Sequence, residues 1–173
     1  KLRTFNVHDA DGAVLRSHQT RSSVAVTTLD AQGGVTFVPT DTNTVSSSFF
    51  TNVDGIPQIA HEVKGMHTSL AVGQQLQNTT LFDDEGNALT VYSYKAGALT
   101  HDIDPDTDPL AVTAGFDLTD EDNQDYVRQT TFNQIIDSVV KYSYVARFFH
   151  AALASNIKLR TFNVHDADGA VLR

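Results

Sequence analysis

Residues Lys1–Arg16 recur without a single change as Lys158–Arg173. An identity of sixteen residues does not arise by convergence, so one copy derives from the other, and their spacing sets a period of 157 residues. A fixed period is the mark of a tandem array. This one is far longer than a solenoid repeat built on one supersecondary unit and has the size of a whole domain. Three origins fit it. The chain is an excerpt from a string of identical domains, or a filament subunit in which one copy completes its own sheet and the other a neighbour's, or a chain whose second copy was added by design.

The peptide itself reads as a β-hairpin. Leu2, Thr4, Phe5 and Val7 lead into His8-Asp-Ala-Asp-Gly12, and Ala13, Val14 and Leu15 lead out. Asp suits such a turn because its carboxylate bonds the local backbone, and Gly because it accepts positive φ. Three further hairpins follow the same grammar: Ser23–Leu29 with Val35–Val38 around Asp30–Gly34, Val45–Phe50 with Ile56–Val63 around Asn52–Gly55, and Asn78–Phe82 with Ala88–Tyr94 around Asp83–Asn87. Val112–Leu118 reads as another strand. Turn signals at this spacing predict a mainly β fold, an antiparallel β-sandwich or barrel of jelly-roll type, over residues 1–118.

The pattern changes at Thr119. Thr119, followed by Asp120, Glu121 and Asp122, resembles a helix N-cap with acidic residues in the first turn. Downstream, Phe132, Ile135, Val139, Tyr142, Ala146, Phe149 and Leu153 alternate spacings of three and four, the signature of one helix face. The spacing predicts a long C-terminal amphipathic helix over residues 119–156, packed on the sheet or at a subunit interface through Phe132, Ile135, Val139, Tyr142, Phe149 and Leu153. Val139–Phe149 also carries high β-propensity, which is the competing signal. Residues 158–173 then form a hairpin shared with the next unit.

Charge narrows the partners. Twelve basic residues against 21 acidic ones give a net charge of −9, which disfavours a phosphate backbone and favours cations. No apolar run is long enough to span a bilayer, so no membrane span is expected. Cysteine is absent, which excludes disulfides and thiolate chemistry. Abundant Thr, Ser, Val, Asn, Asp and Gly with few Lys and Glu is the balance of many secreted, cell-surface or virion β-proteins, so an extracellular location is expected.

Among chemical candidates, His101-Asp-Ile-Asp-Pro-Asp-Thr-Asp-Pro109 comes first. Asp102, Asp104, Asp106 and Asp108 alternate in a loop stiffened by two prolines, and such carboxylates can converge on Ca²⁺. The loop lacks the Gly and the closing Glu of an EF-hand, and a solvated acidic loop is the plainer alternative. Asp9 and Asp11, with Asp166 and Asp168, are explained by turns. His61-Glu62 and His67 invite zinc, but Gly65 stands where HExxH requires its second His. Asn78-Thr79-Thr80 is an acceptor sequence for N-glycosylation. No GxSxG elbow, GxGxxG loop or P-loop occurs, and no enzymatic activity is expected.

The reading that unites these features is a structural, self-assembling protein, a subunit or repeat unit of an extracellular filament, tube or adhesin. Its partners are copies of itself. The joint is β-strand addition by the duplicated peptide, with Phe5, Val7, Val14 and Leu15, or their counterparts Phe162, Val164, Val171 and Leu172, filling apolar sites on the adjoining unit. The alternative is a cell-surface or virion binding module that recognises glycan or a host protein.

Overall fold

The structure is a computed structural model that describes residues 2–21, 27–29, 35–37, 40–100 and 118–172. It is mainly β. Among the described residues eleven strands run β1 (Leu2–His8), β2 (Val14–Arg21), β3 (Thr27–Leu29), β4 (Val35–Phe37), β5 (Thr44–Val53), β6 (Ile56–Lys64), β7 (Leu76–Phe82), β8 (Ala88–Tyr94), β9 (Val127–Ile136), β10 (Val139–Arg147) and β11 (Leu159–Val164). One short helix, α1 (Glu121–Gln124), precedes β9. Nine strands form one open antiparallel sheet in the order β1-β2-β5-β6-β7-β8-β9-β10-β11, while β3 and β4 pair separately. The neighbours follow chain order, so the described residues form a meander rather than the Greek-key crossings of a jelly roll.

Three of the four expected hairpins form within the described residues, and of the fourth the described strands, Thr27–Leu29 and Val35–Phe37, pair antiparallel; local turn chemistry explains the turns that are described. In β1–β2 the Asp9 carboxylate accepts from the main chain of Asp11 at 3.0 Å and Ala13 at 2.8 Å, and Gly12 takes the positive φ of 88° that closes the loop. Asp83 does the same between β7 and β8, accepting from Glu85 at 3.0 Å and Asn87 at 2.8 Å. Those bonds, the Asn87 amide first, hold its carboxyl below the usual range against the opposing effect of desolvation.

The expected long helix is absent, and a hairpin of β9 and β10 stands in its place. The reason lies in how period two was interrupted. Asp137 and Ser138 form a two-residue turn with φ of 51° and 57°, a register shift falls between Val140 and Tyr142, and Phe148 has φ of 64°. Each interruption converts an even spacing into three or four. Phe132 and Ile135 therefore lie on opposite faces of one strand, and Val139 and Tyr142 lie on the far side of the turn. Phe149, beyond β10, stacks on Tyr92 at 5.5 Å; Leu153 is exposed. The N-cap of the short helix is Asp120 rather than Thr119, its side chain accepting from the Asp122 amide.

The core lies on one face of the middle strands. Val63, Leu76, Tyr92, Tyr94, Ala98 and Val127 are buried together, with Phe49, Leu81 and Phe149 against them. Polar groups share that face and are bonded: His18 Nδ1 lies 2.9 Å from Ser47 Oγ, and Tyr94 donates to Thr79 Oγ1 at 2.9 Å. Burial, with Arg16 nearby, keeps the His18 ring below its ordinary protonation range, and burial pushes the Tyr94 phenol up. Across the other face runs a polar ladder in which Ser46 donates to Glu62 at 2.6 Å, Asn78 donates to Glu62, and Ser93 donates to Asn78 at 2.8 Å.

Candidate assembly edges

The two edge strands of the nine-stranded sheet come from the same peptide. Among the described residues β1, from the first copy, pairs with β2 alone, and β11, from the second copy, pairs with β10, its far side bonded only near its end, where the Val164 carbonyl accepts from the Leu172 amide at 2.7 Å. An edge strand carries a row of unpaired main-chain donors and acceptors, which is a template for another strand. Among the described residues the sheet thus begins and ends with one sequence, and the two copies are paired to the sheet on opposite sides.

Both copies also present the same face. Phe162 sits opposite Tyr144, Tyr144 opposite Phe132, Phe132 opposite Thr90, and Thr90 opposite Leu81. From Leu81 the row continues through Ile59 to Thr51. Thr51 shares its face with Phe49, which faces Arg16, which faces Val7. Directly opposed residues lie on one side of a sheet. Phe5 and Val7 therefore emerge on the side that bears Phe162 and Val164, although seven strands intervene.

Their surroundings differ. Phe5 is half-buried and stacks on His18 at 6.2 Å. Phe162 is 45% exposed and lies between Tyr142 at 5.7 Å and Tyr144 at 5.1 Å. Val7, Val14 and Val164 are half-buried, and Leu15, Val171 and Leu172 are exposed. The turn is the same in both: Asp166 accepts from Asp168 at 2.9 Å and Ala170 at 2.8 Å, as Asp9 does in the first copy. The pairing His165↔Val171 also repeats His8↔Val14. The second copy has therefore folded as the start of the same hairpin.

Phe5 and Val7 lie on β1, Val14 and Leu15 on β2, Phe162 and Val164 on β11, and Val171 and Leu172 beyond it. The residues expected on a helix interface fall elsewhere. Phe132 is buried in β9, Tyr142 stacks beside Phe162 on β10, and Ile135 and Val139 flank the turn. Asp102, Asp104, Asp106 and Asp108, with the strand expected over Val112–Leu118 up to Asp117, lie outside the described residues. Among the described residues no group of three or more His, Asp or Glu is placed to hold a metal. His61 is buried on β6 with Nδ1 at 3.0 Å from Thr79 Oγ1. Asn78 lies within β7, its amide nitrogen bonded to Glu62. Among the described residues no helix is long and apolar enough to cross a membrane.

Sequence reasoning missed the polar cluster at the second edge. Ser143 on β10 bonds both Asn133 on β9 and His165 in the second copy, each at 2.9 Å. Only the register, in which Ser143 faces Asn133 on one side and Asn163 on the other, brings residues so distant in sequence together.

Comparison with known proteins finds no matching family, no similar curated protein and no similar solved structure.

Proposed function

We propose that the chain is a structural unit that joins copies of itself edge to edge, the repeated peptide being the strand they share. The observation that carries this reading is the opposite pairing of identical peptides: among the described residues one copy is bonded on its β2 side, and the second is bonded on its β10 side, its other side meeting only the start of its own hairpin at Leu172. Two units sharing the peptide would form a continuous sheet in which β10 of one unit, the peptide, and β2 of the next are adjacent. Because β1 and β11 pair antiparallel and turn Phe5 and Phe162 to one face, every pairing in that sheet would be antiparallel and the core face would be kept.

In such a joint the main-chain bonds supply affinity and the aromatic contacts supply register. Phe5 of an incoming unit would take the place of Phe162 between Tyr142 and Tyr144. Where units follow one another on a single chain, the peptide would be held at high effective concentration and the joint would close within the array. An extracellular filament, tube or adhesin array is the setting that the composition favours.

A chain ending at Asn156 tests the reading. It retains β10 with an open edge and lacks the copy that competes for it, so light scattering and negative-stain microscopy should show assembly through the first copy at lower concentration than for the whole chain, and thermal melting of the dilute chain should show a lower midpoint. Unchanged assembly together with an unchanged midpoint would contradict it.

A further inference from the structure

The same histidine meets two different environments in the two copies. His8 has Nδ1 at 2.9 Å from the Gly12 carbonyl, and its other nitrogen has no hydrogen-bond partner among the described residues. His165 repeats that contact, with Nδ1 at 3.1 Å from the Gly169 carbonyl, and adds a second, with Nε2 at 2.9 Å from Ser143 Oγ. The direction of the second bond follows from its neighbours. Asn133 donates from Nδ2 to the Ala88 carbonyl at 2.9 Å, which leaves Oδ1 facing Ser143. A carbonyl oxygen only accepts, so the Ser143 hydroxyl donates its one proton to Asn133. Ser143 Oγ can then only accept from His165. The Gly169 carbonyl can only accept as well.

Both nitrogens of His165 therefore face acceptors, and a ring satisfies both only when it carries two N–H groups, which is the imidazolium form. A neutral ring must forfeit one bond, or turn Ser143 away from Asn133. We propose that Asn133 and Ser143 form a recognition site on β10 for the doubly protonated imidazole of the repeated peptide, so that the peptide's hold on β10 tightens with acid. The occupant is the peptide's own histidine: His165 in cis, or His8 of a second copy in trans. The trans form rests on the joining reading above.

The groups around the ring agree with a cationic guest. The cleft is lined by Asn133, Ser138, Ser143 and, from the peptide's turn, Asp168. β9 and β10 thus contribute neutral hydroxyl and amide groups, while among the described residues the one other ionisable side chain lining the cleft is the Asp168 carboxylate. Asp166 of the same turn spends its carboxylate on main-chain amides. Asp137 sits one residue before Ser138 in the β9–β10 turn, and Lys141 meets His165 through its main-chain carbonyl, which accepts from the His165 amide at 2.9 Å.

Amide hydrogen exchange on the full chain, corrected for intrinsic rates, tests the site at pH 5.5 and pH 8. Protection of β11 should rise about tenfold at the lower pH, the scale of one hydrogen bond to a charged group. Ser143→Ala should abolish that rise, and Ser143→Thr should restore it. Protection of β11 that ignores pH, or a rise that survives Ser143→Ala, would overturn the site. Mixing isotopically labelled and unlabelled full-length chains at both pH values separates the two readings. Exchange into mixed assemblies that grows more durable at pH 5.5 supports both. Equal durability at the two pH values overturns the trans form of the site, and absence of mixed assemblies at either pH overturns the joining reading while leaving the cis site to the exchange data.

Discussion

Lys1–Arg16 and Lys158–Arg173 are one sequence in two settings. Their turns agree bond for bond, from the Asp carboxylate accepting two amides to the positive φ of Gly12 and Gly169, 88° and 81°. Their flanks disagree. The first copy leans on β2 and stacks Phe5 on His18; the second leans on β10, wedges Phe162 between two tyrosines and ties His165 to Ser143. The hairpin start is therefore a local property of the peptide, whereas its partner strand is a matter of context. A peptide that is indifferent to which side it pairs on suits a joint between units.

The largest predicted effect separates the copies by their aromatic rings. Phe162→Ala removes the contact with Tyr142 and Tyr144 and should loosen β11 by about 2 kcal/mol, from lost apolar burial and ring stacking, with β1 unchanged. Phe5→Ala should loosen β1 and spare β11. Residue-resolved hydrogen exchange reads both, and a variant that weakened the two edges equally would erase the distinction.

Acid provides the next test. His18 is kept below its ordinary protonation range by burial and by Arg16, so the unfolded chain binds the proton more readily than the folded one. Stability from this group is present above pH 6.5 and is lost as pH falls through the window below that value. The β1–β2 edge should therefore weaken in acid while the β10–β11 edge strengthens. His18→Gln should flatten the first trend alone, as thermal melts and exchange at the two edges would record.

The smallest effect tests sameness rather than difference. Asp9→Ala and Asp166→Ala each remove two main-chain acceptances, and each should cost its own hairpin about 1 kcal/mol. A marked inequality, read from local exchange, would show that the turn is not autonomous.

Much of this was legible in the sequence where chemistry is local. Asp-x-Asp-Gly and Asn-x-Asp-Gly segments announced the hairpins, and the exact repeat announced that both ends would matter. What failed was the region after Thr119, where a turn at Asp137-Ser138, the register shift before Tyr142 and the positive φ of Phe148 turned interrupted alternation into an apparent helical stripe. The β-branched and aromatic content of Val139–Phe149 was the better guide. The Asn133–Ser143–His165 cluster was not legible at all, because it depends on which residues β9, β10 and β11 place opposite each other.

The central claim is that a peptide from one chain can occupy β10 of another in the register seen for β11, which pairs Val145 with Thr161 and hence with Thr4 in trans. The chain has no cysteine, so introduced thiols report cleanly. Full-length chains carrying Thr4→Cys alone and Val145→Cys alone are mixed and oxidised, and products are resolved without reductant. The account predicts a covalent heterodimer bridging these two positions, absent when Thr4→Cys is replaced by Leu15→Cys; only monomers, or equal yields from both pairings, would contradict it.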